Sequence, residues 1–106
     1  AEPLFQIGAT YYDNENYALA KLFLAQAANL EAPKDLVLFI NSDIYLYLAA
    51  FYAGAASAIL EDYEDAIHFY GQVIKNAPED SEHYKNAHLN ILDCKKLLND
   101  KIKSAA

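Results

Sequence analysis

The sequence predicts an all-α fold in which two antiparallel helix hairpins are followed by a terminal capping helix. Three observations lead to this prediction. Glycine and proline number only three each in 106 residues, too few for a loop-rich or sandwich fold. Apolar residues recur at helical spacing along most of the chain. Finally, several residues of the first predicted hairpin recur 46 positions later.

The first hairpin is predicted from residues 3–30. Leu4, Ile7 and Tyr11 are spaced as one face of a helix, and the polar residues 13–16 then indicate a turn. A second helix is expected from residue 17 to about residue 30. Pro33 ends it, because the residue before a proline is pushed out of the helical region. The apolar stripe of this second helix consists of Tyr17, Ala20, Leu24, Ala27 and Ala28.

A long third helix is expected to begin at Asp35, a residue type that caps helix N-termini, and to run towards Leu60. A kink is possible at residues 41–43. Residues 36–40 are apolar on every side of a helix, so they are expected to be buried against another surface. That surface belongs to a second copy of the chain, to flanking sequence, or to the end of the second helix.

The remaining chain predicts two further helices. Glu61 and Asp62 form an acidic turn, and residues 63–75 then form an amphipathic helix that ends before Pro78. The last helix is expected from residue 80 to about residue 102, with a narrow apolar stripe. The residues predicted to be buried in these two helices are Ala66, Ile67, Tyr70, Val73, Ile74, Tyr84, Ala87, Ile91, Cys94, Leu98 and Ile102.

Charge and composition exclude several classes of function. The formal net charge is −7, and no arginine occurs. Residues 1–80 hold twelve acids and three lysines, whereas residues 81–106 hold three acids and five lysines. Because nucleic acids and anionic membranes bind clustered positive charge, neither is an expected partner. The single cysteine, Cys94, excludes an internal disulfide and a cysteine-based metal site.

The run from residue 44 to residue 60 contains seventeen uncharged residues and raises the question of a membrane span. It is slightly short for one, is rich in Ala, Gly and Tyr, and has no basic flank. We therefore expect a helix buried in protein and no membrane insertion. The chain opens on Ala1 without an initiator Met or a visible signal peptide, which predicts a processed or excised N-terminus. A cytoplasmic location is weakly favoured, although no targeting signal identifies the compartment.

The 46-residue offset relates the first hairpin to the second. Eight identities occur without a gap, and self-similarity of this kind is typical of a solenoid. A partial third copy follows 34 residues later, where Ala87 aligns with Ala53 and His88 with Gly54. The eight pairs are Phe5 and Phe51, Gly8 and Gly54, Ala9 and Ala55, Glu15 and Glu61, Tyr17 and Tyr63, Ala20 and Ala66, Phe23 and Phe69, and Gln26 and Gln72.

These copies resemble the tetratricopeptide repeat (TPR) family. The first copy carries the pattern in Leu4, Ile7, Gly8, Tyr11, Ala20, Leu24, Ala27 and Pro33. The second carries it in Ala53, Gly54, Tyr63, Ala66, Tyr70, Val73 and Pro78. The resemblance implies a right-handed α-solenoid with repeat one at 1–34, an extended repeat two at 35–79 and a capping helix at 80–103.

The sequence departs from the family pattern at several points. Leu4 stands where the family favours Trp, and Ala50 stands at the equivalent position of the second copy. About twelve extra residues, 35–46, lengthen the second repeat. His88 replaces the small glycine in the third copy, which is tolerable where no helix packs against it, as on a capping helix.

The resemblance further implies that the first helix of each pair lines a concave face that binds a peptide. An apolar or amphipathic segment of another protein would suit this face, so the expected role is that of a scaffold or adaptor, without catalysis or cofactor. The family's clamp for a C-terminal carboxylate is not expected, because the matching positions lack cations. The residues predicted for the face are Phe5, Ala9, Tyr12, Leu48, Phe51, Ala55, Lys85 and Leu89.

Four alternatives remain at this point. The predicted face could close on itself, or the chain could form a homodimer through the 35–47 helix extension. Glu64 and Asp65 precede His68 by about one helical turn, a spacing that could hold a metal ion or tune a general base. A metal-dependent enzyme would have to use these three residues. A small-ligand carrier would place its pocket beside Tyr45, Tyr47 and Tyr52. His83 and His88 are expected to be solvated, and Cys94 to be an inert core thiol.

Overall fold

The computed structural model describes residues 2–29 and 42–105, and within these ranges it is all-α, as predicted, with no strand. It contains five helices: α1 (Glu2–Asp13), α2 (Tyr17–Ala28), α3 (Ser42–Ile59), α4 (Tyr63–Asn76) and α5 (Glu82–Ala105). Within the described residues, no helix is long and apolar enough to cross a membrane.

Packing follows the order of the chain. Each helix packs against the next, and α1 also contacts α3, as α3 contacts α5. The helices α1, α3 and α5 therefore lie in one layer, with α2 and α4 in the other. Side chains of Lys21, Asn29 and Gln72 connect the second layer: Lys21 lies 2.8 Å from a carboxylate oxygen of Asp65, and the amide of Gln72 lies 3.4 Å from that of Asn29.

The turn that closes the first hairpin is built in the same way as the turn that closes the second. Glu15 and Glu61, 46 residues apart, both adopt the left-handed conformation, with φ of 63° and 65°. The backbone hydrogen bonds also correspond. Asn16 N–Tyr11 O and Asp62 N–Ser57 O are both 2.8 Å, while Glu15 N–Tyr12 O and Glu61 N–Ala58 O are both 3.0 Å. The 46-residue repeat in the sequence is therefore also a repeat of the backbone conformation at the two turns.

Two glycines allow the helices of each hairpin to approach closely. A Cβ atom added to Gly8 would lie 2.6 Å from Cγ of Leu24, and one added to Gly54 would lie 3.0 Å from the ring of Tyr70. Leu24 and Tyr70 are themselves 46 residues apart. Each pair of helices therefore has a large side chain of the second helix resting on a glycine of the first.

The core is made mostly of small residues. Of the residues predicted to be buried, Ala20, Leu24, Ala27, Ala66, Tyr70, Val73, Ala87 and Cys94 are confirmed. Ala49, Ala50, Ala53 and Ala56 of α3 are buried as well. Because alanine has a small side chain, it allows neighbouring helices to pack closely.

Two predicted core residues are exposed, and both lie towards an end of the helix stack. Ile7 is 43% exposed, whereas Ala53, its counterpart 46 residues later, is fully buried against the first hairpin. Ile102 is 59% exposed and lines an open groove between the end of α5 and the α3–α4 turn. The apolar pattern predicts which face of a helix is inward, but whether a neighbour covers it depends on the position in the stack.

Several predictions lie partly or wholly outside the described residues. Pro33, Asp35 and residues 36–40 are among these, as is most of the 35–47 extension. The helix α2 ends at Ala28, with Asn29 as its C-terminal cap. The capping helix runs from Glu82 to Ala105, where residues 80–103 were expected, and Ser81 caps it by accepting a hydrogen bond from the backbone N–H of Tyr84 at 3.2 Å.

Candidate peptide-binding face

The predicted face belongs to the layer of α1, α3 and α5. Between α1 and α3, the ring of Tyr52 lies 6.0 Å from the ring of Phe5 and 5.5 Å from the ring of Tyr12, measured between centroids. The edge-on geometry between Tyr12 and Tyr52 is one that aromatic pairs prefer. Phe5 and Tyr12 are half-buried, so one part of each ring holds α1 against α3.

Between α3 and α5, the linking residue is His83. Its ring lies 5.0 Å from the ring of Phe51 and 5.9 Å from the ring of Tyr47. Phe51 also meets Tyr52 at 5.9 Å and Tyr70 of α4 at 5.6 Å. A continuous row of rings therefore runs from α1 across α3 to α5. We call this the aromatic row: Phe5, Tyr12, Tyr52, Phe51, His83 and Tyr47.

The other predicted face residues differ in their exposure. Ala9, Leu48 and Ala55 are half-buried, whereas Lys85 is exposed and Leu89 is 60% exposed. The structure thus brings Phe5, Tyr12 and Phe51 into one row, and it leaves Lys85 and Leu89 on the free surface of α5.

Burial controls the ionisation of the phenols in this region. Desolvation raises the pKa of Tyr12, and the neighbouring Tyr17, Tyr52 and Asp13 raise it further. Burial raises the pKa of Tyr70 to about 12, with Cys94 adding to the effect and a hydrogen bond with Asn90 opposing it. Both phenols are neutral at physiological pH and present no charge to a partner.

Sequence reasoning missed the role of three residues in the aromatic row. Tyr47 and Tyr52 were placed only beside a possible ligand pocket, and the counterpart of Tyr52 in the first copy is Gln6, so the repeat does not mark it. His83 was expected to be solvated; instead it is half-buried between the rings of Phe51 and Tyr47.

A second feature is an open groove of about 480 Å³ between the α3–α4 turn and the end of α5. We call it the acidic groove. Lys21 pairs with Asp62 at 2.9 Å and Asp65 at 2.8 Å, and Lys101 donates to the backbone carbonyl of Glu61 at 3.3 Å. Its lining residues are Glu61, Asp62, Tyr63, Glu64, Asp65, Leu98, Lys101 and Ile102.

The three residues considered for a metal or general base are placed as follows. Glu64 is exposed, and Asp65 pairs with Lys21. His68 is exposed as well, with one ring nitrogen 3.5 Å from the amide of Gln72. Across residues 2–29 and 42–105, no group of three or more His, Cys, Asp or Glu side chains is placed to share a metal ion. Cys94 is buried. This burial raises the pKa of its thiol, and the negative charge of Asp93 raises it further.

Comparison of the chain with protein-family models, with curated proteins and with solved structures finds no match in any of the three.

Proposed function

We propose that this chain is a TPR-like helical repeat module that acts as a scaffold or adaptor, binding an apolar or amphipathic peptide on the face of α1, α3 and α5. The observation that supports the repeat is the matching geometry of the two hairpin turns, including the left-handed Glu15 and Glu61. Backbone geometry repeated at the sequence offset is typical of solenoids, whose repeats pack in the same way on each other. Right-handed winding is part of the same proposal.

The binding role is supported by the composition of that face. Along α3 it carries the half-buried Leu48, Phe51 and Ala55, and no residue from 48 to 59 is charged. The exposed Leu89 extends the apolar surface onto α5. Surfaces with aromatic anchors and apolar surroundings suit a helix laid in a groove or an extended apolar peptide. A catalytic role has no comparable support from the described side chains.

A displayed library of random peptides tests the proposal, followed by titration of the selected peptide. We expect Ala55→Arg and Leu89→Asp each to weaken binding at least tenfold, a loss of about 1.4 kcal/mol or more. Leu22→Asp is the matched control, because Leu22 is a comparably exposed leucine (52%) on α2, in the other layer. Binding that is lost in the control but kept in both face variants would contradict the proposed location.

Phe5→Ala and Phe51→Ala should also abolish binding. Because both rings pack within the aromatic row, these variants are informative only where circular dichroism shows unchanged helicity. Ala55→Arg avoids this complication, since it adds bulk to the face and removes no ring contact.

A further inference from the structure

We propose that two copies of this chain associate through α5, with a basic apolar stripe of one copy docked in the acidic groove of the other. We call the first surface the α5 stripe: Lys85, Leu89, Leu92 and Lys96. Lys85 and Leu89 also belong to the face proposed for peptide binding, so a second copy and a bound peptide compete for this side of α5. The acidic groove has no part in the peptide-binding proposal, and its variants therefore test the dimer separately.

The α5 stripe is an exposed amphipathic surface. Its members are spaced by four, three and four residues, so they follow one side of the helix. Leu92 and Leu89, at 64% and 60%, have the highest exposure of the large apolar side chains in the described ranges. Lys85 and Lys96 are exposed at either end of this leucine pair. A surface with two exposed leucines between two cations suits an apolar partner of opposite charge.

The place on α5 that corresponds to the two packed glycines holds a histidine. In the two hairpins, a large side chain packs on Gly8 or Gly54 of the preceding helix. His88 occupies the corresponding place on α5, is exposed, and rests its ring 4.8 Å from that of Tyr84. A helix packed on α5 as α2 packs on α1 would have to displace this side chain.

The acidic groove offers the complementary surface. Lys21 pairs with both Asp62 and Asp65, whereas Glu61 and Glu64 are exposed and form no ion pair among the described residues. The groove also has apolar walls from α5, where Ile102 is 59% exposed. It therefore suits a segment that carries cations on an apolar stripe.

Charge distribution points to a second copy as that segment. The first 80 residues carry twelve acids and three lysines, a balance of −9, whereas the last 26 carry three acids and five lysines, a balance of +2. A second copy thus presents an oppositely charged α5 to the acidic groove, and the match steers and orients the encounter. Leu92 of one copy and Ile102 of the other lose their exposure to water in the complex. Since a standard stable interface buries about 1,600 Å² in total, a contact centred on so few side chains is weak and sensitive to salt.

Sedimentation velocity over a concentration series from about 10 μM to about 1 mM tests the association. We expect the weight-average sedimentation coefficient to rise with concentration towards the value of a dimer. It should fall back when the ionic strength increases tenfold, because screening weakens contacts between exposed charges. A chain that stays monomeric over the whole series overturns the proposal.

Charge reversal identifies the surfaces. The pair Lys85→Glu with Lys96→Glu, and separately the pair Glu61→Lys with Glu64→Lys, should each weaken dimerisation at least tenfold. An equimolar mixture of the two variants should restore it, because each then supplies the charge that the other requires. Lys75→Glu, which reverses an exposed lysine on α4, is the control and should leave dimerisation unchanged.

Two results of the reversal experiment contradict the proposal. If both double variants dimerise like the parent, the contact lies elsewhere, for example in the 35–47 extension. If the mixture stays monomeric, the two surfaces do not face each other.

Discussion

At the residue scale, individual side chains determine how closely the helices approach. Gly8 and Gly54 lie beneath Leu24 and Tyr70, which fill the space that a side chain at each glycine would need. The third glycine, Gly71, has no atom within 4 Å of an added Cβ. The same residue type is therefore required for packing at two positions and is only tolerated at the third.

This difference predicts opposite effects for one substitution. Gly8→Ala and Gly54→Ala should each lower the free energy of unfolding by about 1–3 kcal/mol, because the methyl group forces a buried neighbour to move. Gly71→Ala should raise it by up to about 1 kcal/mol, since alanine favours the helix and meets nothing. Urea denaturation of the three variants checks this, and destabilisation by Gly71→Ala would show an unseen contact on α4.

The buried phenol of Tyr70 predicts a dependence of stability on alkaline pH. Its pKa rises from 10.0 in water to about 12 in the fold, so its contribution is complete below pH 10 and is lost as the pH rises through about 12. The loss is on the order of 2 to 3 kcal/mol. The free energy of unfolding should therefore fall between pH 10 and pH 12.

Tyr70→Phe provides the control for this prediction. It has no ionisable group at that position, so most of the decline between pH 10 and pH 12 should disappear. Tyr12 and Cys94 act in the same direction, because burial raises both pKa values, and they account for a residual slope. If the free energy of unfolding of Tyr70→Phe falls with pH as steeply as that of the parent, the decline comes from these or other groups.

At the element scale, the two hairpin turns are the repeated unit of construction. Each places a glutamate in the left-handed conformation, which costs an L-residue roughly 1–2 kcal/mol. The same backbone hydrogen bonds surround both residues, so the energetic consequences should match as well.

Glu15→Gly and Glu61→Gly should each stabilise the chain by about 0.5 kcal/mol, because relief of the left-handed cost exceeds the added entropy of glycine. Glu15→Ala and Glu61→Ala keep the backbone cost and should show no such gain. Thermal denaturation compares the four variants. Opposite signs for the two glycine variants would show that one glutamate side chain has a role of its own.

At the element scale, a sequence pattern predicts a helix and its inward face better than it predicts which residues are buried. The periodicity of residues 80–102 predicted α5 and its buried residues Ala87 and Cys94 correctly. It placed Ile102 in the same stripe, but this residue is 59% exposed and lines an open groove. A pattern describes one helix, whereas burial depends on the elements packed against it.

At the scale of the whole molecule, the layered packing creates both proposed surfaces. Contacts of α1 with α3 and of α3 with α5 join residues such as Phe5 and Tyr52, which are 47 positions apart, and Phe51 and His83, which are 32 apart. Together these contacts produce the aromatic row. The acidic groove lies where the end of α5 meets the α3–α4 turn, and Lys101 donates there to the carbonyl of Glu61. Neither surface is contiguous in the sequence.

The sequence by itself determined the all-α class, the five helices, the small residues at helix contacts and the 46-residue repeat. These follow from local spacing and from residue size, which a linear pattern records. Only the tertiary structure decided that Tyr52 and His83 join the helices of one layer, that Ile7 and Ile102 are exposed, and that an acidic groove lies at the end of α5. The physical reason is that these properties depend on which elements lie side by side and where each one ends, and residues distant in the sequence set both.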